Sequence, residues 1–245
     1  MKPKLIFIIG PSCSGKSSMS QAICSLYPEY SVLDDAVPLY KIFTADKLLH
    51  QNKLKDFWKF ARENSIDMFY DQEDPCFYSH PNNQGGYLID NPIVWNIVLT
   101  ILSKQINSDY TIIEFSRGSD PKYNQFFGIK DWDVYPISFN YLCQNVHSSL
   151  LKNSLIIDID SPLEIRKERN LNRYKNGGHL VSEKTMNTVY KEDVFNGPDN
   201  VISIKDTKIP IVYIKNQTNY SNPSSFLQNE FIKALICYRE YHGKI

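Results

Sequence analysis

Several features that would set the class of a protein are scarce here. Cysteine occurs five times, at Cys13, Cys24, Cys76, Cys143 and Cys237, an odd and scattered set without a C-x-x-C pair. That argues against a disulfide framework or a structural zinc site, and points to a reduced, cytoplasmic, soluble setting. No apolar run reaches the length of a membrane span, so no membrane partner is expected. The short run Lys4–Gly10 leads into a motif rather than a cleavage site, and reads as a strand instead of a signal peptide. Neither sign of charge dominates. Lys plus Arg number 27 and Asp plus Glu number 27, so no strong field favours nucleic acid or an anionic surface as the main partner. Repeats and low-complexity linkers are missing. The expectation is a single domain over residues 1–245, whose 42% hydrophobic content supplies one sizeable core.

Glycine is also scarce, ten in 245 residues, yet two stand five apart in GPSCSGKS at residues 10–17. LIFIIG before it is a continuous apolar run, the pattern of a buried parallel strand. Behind it Met19, Ala22, Ile23 and Leu26 recur with helical spacing. Strand, loop and helix together match G-x-x-x-x-G-K-S/T, a phosphate-binding loop. Glycines let the loop turn its N–H groups inward around phosphate oxygens. The helix then aims its positive end at the anion. The candidate loop is Gly10, Pro11, Ser12, Cys13, Ser14, Gly15, Lys16, Ser17 and Ser18. Lys16 would reach the terminal phosphates and Ser17 would coordinate Mg²⁺. Cys13 reads as a small neutral filler. This stretch resembles the P-loop NTPase superfamily.

Further apolar strands alternate with helices: YSVLDD, YTIIEFSRG, SLIIDID and IPIVYIKN. Between them, DKLLHQNKLKDFWKFARE carries one apolar face, and Asn91-Pro92 reads as a cap opening an all-round apolar helix. PISFNYLCQNVHSSLL is a further helix candidate. Ser161, Pro162 and Glu164 read as a capping box, and Gly177-Gly178 as its helix's end. A last amphipathic helix places Leu227, Phe231, Ala234, Leu235 and Tyr238 on one face. Five strands alternating with helices imply an α/β fold with a parallel sheet covered on both sides. Ligands in such sheets bind at the carboxyl ends of strands. That rule gathers residues 10–17, Asp34 and Asp35, Glu114 to Arg117, and the segment after Asp160.

At the second strand's end one carboxylate would accept a proton from a substrate hydroxyl or hold Mg²⁺ through water. Adjacent side chains on a strand face opposite ways, so only one of the pair reaches the site. Asp34 is favoured as base, leaving Asp35 to the metal; the alternative is that either residue caps the next helix. Glu114 ends an apolar strand, as a metal-orienting Walker B acid does, with Arg117 to hold a phosphate or fix the substrate. Arg166, Arg169 and Arg173, at i, i+3 and i+7, suit a lid closing on phosphates, since guanidinium binds oxyanions in a fork.

The order GPSCSGKS, LDD, EFSRG, then IRKERNLNRYK looks like the nucleoside and nucleotide kinase group of P-loop proteins, uridine kinase-like or deoxynucleoside kinase-like. EFSRG is similar to that group's E/D-R-S segment with Ser and Arg exchanged, and the loop is also like that of guanylate kinase. The resemblance covers the core strands and the lid. It implies a five-stranded parallel sheet in order 2-3-1-4-5, a helical acceptor-binding insertion over residues 44–106 and an arginine lid within 161–200. It also implies ATP and Mg²⁺, a base at the end of the second strand, and adenine held near Asn216-Gln217-Thr218-Asn219. The expected function is phosphoryl transfer to a small-molecule acceptor, a nucleoside or nucleotide. The alternatives are a nucleotide-driven ATPase or switch, and a nucleic-acid end kinase. No N-K-x-D segment supports a guanine switch. Lys41, Lys47, Lys53, Lys55, Lys59 and Arg62 would give the insertion a basic face for the last alternative.

Overall fold

The computed structural model describes residues 2–82, 86–106, 110–195, 200–217 and 223–243. In chain order the strands are β1 (Leu5–Ile9), β2 (Ser31–Asp34), β3 (Ser79–Pro81), β4 (Tyr87–Ile89), β5 (Thr111–Glu114), β6 (Ser154–Asp160), β7 (Val201–Ile204) and β8 (Thr207–Lys215). The helices are α1 (Lys16–Leu26), α2 (Ala36–His50), α3 (Leu54–Glu63), α4 (Val94–Gln105), α5 (Pro121–Phe127), α6 (Val134–Leu142), α7 (Ser148–Leu151), α8 (Leu163–Lys175), α9 (Glu183–Asn187) and α10 (Pro223–Gly243).

β1 shows how the sequence builds the layers. All five of its residues are buried and apolar, and alternate side chains leave opposite faces. Leu5, Phe7 and Ile9 join a cluster with α4 and α6. Ile6 and Ile8 join another with Met19, Ala22 and Ile23 of α1 and Leu227, Phe231, Ala234, Leu235 and Tyr238 of α10. Each such side chain contributes about 1.5–3 kcal/mol on full burial. The central strand is therefore clamped between two helical layers, and its carboxyl end opens into the glycine-rich loop.

The sheet departs from the five-strand expectation. It has six strands in the order β2-β5-β1-β6-β8-β7. Neighbours from β2 to β8 pair in parallel, while β7 joins β8 antiparallel at the edge. The five strands marked by the sequence lie side by side. What the apolar pattern missed is VISI, a short edge strand that keeps only Ile204 buried.

The stretch between β2 and β5 is not wholly helical either, for it also holds the antiparallel hairpin β3–β4. DKLLHQNKLKDFWKFARE is split between α2 and α3, with Asn52 at φ 54° in the break. A small separate core of Ala45, Phe57, Ala61, Ile66 and Tyr70 holds this part together. Buried Asp46 anchors it by accepting from Tyr70 Oη at 2.9 Å, Ser79 Oγ at 2.7 Å and Tyr78 N at 3.1 Å. α4 starts at Val94, because Asn91 Oδ1 accepts from Ile93 N in a turn ahead of it. PISFNYLCQNVHSSLL lies across α6 and α7. At α8 the expected capping box does not form. Pro162 is the N-cap, and Ser161 Oγ accepts from Arg169 instead. The α8 terminus does end at glycine, with Gly177 at φ 83° and Gly178 N donating to Arg173 O at 2.9 Å.

Candidate active site

The loop between β1 and α1 is built around two left-handed glycines, Gly10 at φ 133° and Gly15 at φ 115°. A Cβ on Gly10 would run into Ile159 O, and one on Gly15 into the Asn216 amide. Cys13 is also left-handed, at φ 64°. α1 begins at Lys16 with neither a side-chain cap nor an acid in its first turn. Its first N–H groups and positive end therefore remain available to an anion at the loop. Buried Tyr135 fixes the loop's entry, accepting from Gly10 N at 3.1 Å and donating to Arg117 O at 3.4 Å.

Lys16 lies under the loop at 9% exposure and donates to Gly10 O at 3.0 Å and Pro11 O at 2.9 Å. Burial pushes its pKa down; of the charges that oppose this, Asp35 acts most strongly, ahead of Glu114 and Asp34. Ser17 Oγ donates to Glu114 Oε2 at 2.6 Å. Burial raises the Glu114 pKa, and the Ser17 hydrogen bond works against that rise. A serine hydroxyl and a carboxylate are hard oxygen donors that suit Mg²⁺, and the uncapped, acid-free start of α1 behind the loop suits phosphate. The residues present fit both groups.

β2 and β5 bring the acids to the loop, with Asp34 opposite Glu114 in register. The two aspartates then part. Asp34 Oδ1 accepts from Ala36 N at 2.9 Å, starting α2. Asp35 is 8% exposed, and its Oδ2 accepts from Ser116 N at 2.9 Å and Arg117 Nη1 at 3.3 Å. Burial raises its pKa to about 6, against the pull of Arg117. Asp35 therefore acts on Lys16 more strongly than Asp34 does. Its Oδ2 is already engaged by Ser116 and Arg117, whereas Ser17 and Glu114 bond each other.

Arg117 is not a free phosphate ligand. At 4% exposure it donates to Ser138 Oγ at 3.2 Å, Trp95 O at 3.3 Å and Ser116 O. It positions Asp35. The three arginines of α8 also separate. Arg166, 1% exposed, spends its guanidinium on Ser161 O at 2.7 Å, Tyr190 O at 2.5 Å and Lys191 O at 2.8 Å, so it fastens chain rather than phosphate. Arg169 lies against the loop, donating to Cys13 O at 3.2 Å, Ser14 O at 3.1 Å and Asn216 Oδ1 at 3.2 Å. Arg173 donates to Asn170 Oδ1 at 2.9 Å and bears electrostatically on Tyr40 and His179, whose rings meet at 5.4 Å.

Asn216 has a different part from the one expected. It is buried, and its Nδ2 donates to Ser14 O at 2.7 Å, bracing the loop from behind. Thr218 and Asn219 of the same candidate segment lie outside the described residues. Of the aromatics concentrated in the insertion, Tyr70 is core, and Tyr87 stacks on Phe43 at 4.4 Å. Sequence reasoning missed two acids, the buried Asp158 on β6 and the half-buried Asp193 after α9, which act on each other electrostatically and also feel Lys16. It also missed Tyr190. Asp158 had one signal, a carboxylate inside an otherwise apolar strand.

No protein-family model matches the chain, and no curated protein matches it. Among solved structures it is similar to a gluconokinase from Sinorhizobium meliloti, with 13% identity over 99% of this chain and 97% of that one and a TM-score of 0.47. A sugar kinase from Janibacter sp. is similar at 12% identity over 95% and 94%, with a TM-score of 0.46. A shikimate kinase from Acinetobacter baumannii is similar at 14% identity over 98% and 95%, with a TM-score of 0.40.

Proposed function

We propose that this chain transfers the γ-phosphoryl group of ATP to a hydroxyl of a small molecule, of the nucleoside or nucleotide class. The observation that carries the reading is the convergence on one loop of Lys16, the Ser17–Glu114 pair at 2.6 Å and the buried carboxylate Asp35. The Gly10–Ser18 loop binds phosphates through backbone N–H groups, and Lys16 leaves its loop carbonyls to reach them. Ser17 and Glu114 would hold Mg²⁺, which would supply neutralisation of phosphate charge. Asp35, positioned by Arg117, takes the acceptor's hydroxyl proton. A pKa near 6 suits a base working at neutral pH. Arg169 offers charge at the loop's mouth, and Arg173 stands on the side of Tyr40 and His179. Resemblance to the nucleoside and nucleotide kinase group supports the acceptor class.

The test is incubation with Mg²⁺ and γ-labelled ATP against separate pools of nucleosides, nucleoside monophosphates and other hydroxylated metabolites. Label on either of the first two pools is expected. Label on the third alone would keep the transfer and remove the acceptor class. Label released only as phosphate would contradict the transfer.

One observation favours a second reading, a nucleic-acid end as acceptor. Lys55, Trp58, Lys59, Arg62 and Glu63 line one groove on α3, three cations to one acid around a ring that could stack. Salt-sensitive oligonucleotide binding that is lost in Lys59→Glu/Arg62→Glu would support it.

A further inference from the structure

Residues 188–195 leave α9 without helix or strand, yet they are fastened at three points. Arg166 holds Tyr190 O and Lys191 O. Val189 O packs so closely on Gly118 that no Cβ would fit there. The Phe195 ring meets Tyr135 edge-on at 5.4 Å, and Asp193 lies within electrostatic reach of Asp158 on the central sheet. The segment is a strap laid from the arginine helix across the loop after β5.

The strap places one side chain, that of Tyr190, against the cavity lined by Ser116 and Arg117, the two residues that bond Asp35. Tyr190 is 7% exposed, and its phenol lies within electrostatic reach of Asp35, Arg117, Asp120 and Cys13. With Val189 it roofs a cavity floored by Ser116, Arg117 and Trp95. That cavity measures about 10 Å³, room for a single water.

A base beside a bound γ-phosphoryl group activates water as readily as an acceptor's hydroxyl, and water is far more abundant. A phosphotransferase must therefore exclude it. From this geometry we infer that Tyr190 excludes water from Asp35 and thereby sets the division between transfer and hydrolysis. The inference rests on the phosphoryl-transfer reading above. The reaction it suppresses balances simply. Water's oxygen bonds to the γ-phosphorus, and the bond from that phosphorus to the β–γ bridging oxygen breaks. ADP leaves with the electron pair, and the water proton passes through Asp35 to solvent, giving ADP and inorganic phosphate.

The experiment compares wild type with Tyr190→Phe, Tyr190→Leu and Tyr190→Ala. Phosphate release from MgATP is measured without any acceptor, alongside ATP affinity by calorimetry. Phe keeps the ring and should stay near the wild-type rate. Leu should leak more, and Ala about tenfold or more above wild type, with ATP affinity unchanged throughout. Leu fills much of the roof, so the series remains readable if Ala loosens the strap. A merely structural role would lower transfer and hydrolysis together and would not raise phosphate release. If ATP binds normally and none of the variants hydrolyses faster than wild type, the inference about Tyr190 is overturned and the transfer reading stands. If the wild type binds no ATP, both fall.

Discussion

Replacing Arg117 by methionine isolates the charge that tunes Asp35. The Arg117 guanidinium is almost fully buried, 3.3 Å from Asp35 Oδ2, and is the strongest influence opposing the burial that raises the Asp35 pKa. Methionine fills a similar volume without the charge, leaving Asp35 the Ser116 N–H. A cation at that range is worth roughly 1–3 pKa units. Starting from about 6, the Asp35 pKa should move to roughly 7–9 in the variant. At pH 7 the ionised fraction then falls from about nine-tenths to between about one-half and one-hundredth, and the transfer rate falls with it, about 2- to 100-fold. Because the base works ionised, activity should return as pH rises past the new value. Removing one partner of a buried pair also costs about 3–5 kcal/mol of stability, so thermal melts must confirm a folded variant at the assay temperature. The assay is kcat/KM against pH for both proteins. An acid limb that stays near its wild-type position in Arg117→Met, or a loss that no pH restores in a folded variant, would refute the assignment of Asp35 as base.

Gly118→Ala should push Val189 away and cost about 1–3 kcal/mol by overpacking; tryptic cleavage at Lys191 should accelerate, and unchanged cleavage would count against the strap. Asp158 and Asp193 are both raised above the ordinary aspartate value, mainly by burial and, at Asp158, also by its neighbour's charge. A raised carboxyl stabilises the fold at low pH, and that contribution is lost as pH climbs through the folded value. The stability advantage of wild type over Asp193→Asn should therefore shrink as pH rises from about 4; parallel melting curves across pH would contradict this. Glu114→Gln should weaken Mg²⁺ binding, raising the Mg²⁺ concentration for half-maximal activity, and an unaltered Mg²⁺ titration would remove Glu114 from the metal site.

The phosphate loop was legible because its motif is strict and its flanks, LIFII and KSSMSQAICSL, carry opposite periodicities. The parallel strands were legible because burial on both faces makes their sequences continuously apolar. Where tertiary context decides, the pattern fell silent. Asp34 and Asp35 are identical residues at one strand end, and only the β5 partner separates them: Asp35 N donates to Glu114 O and its carboxylate meets Ser116 and Arg117. Arg166, Arg169 and Arg173 share one helical stripe, but the strap buries the first and the loop occupies the second. Asp158 and Asp193, which act on each other electrostatically, are far apart in sequence, one of them in a segment with no periodicity at all. The exchange of Ser and Arg in EFSRG put the role of Arg117 in doubt, and only the fold shows its guanidinium bonded to Asp35.

The most direct measurement of the central claim is equilibrium binding of ATP, with Mg²⁺, to wild type and Lys16→Ala by calorimetry. The account predicts saturable one-site binding to wild type and its loss in the variant, with both proteins melting cooperatively. Absence of binding to wild type, or equal binding to both, would contradict it.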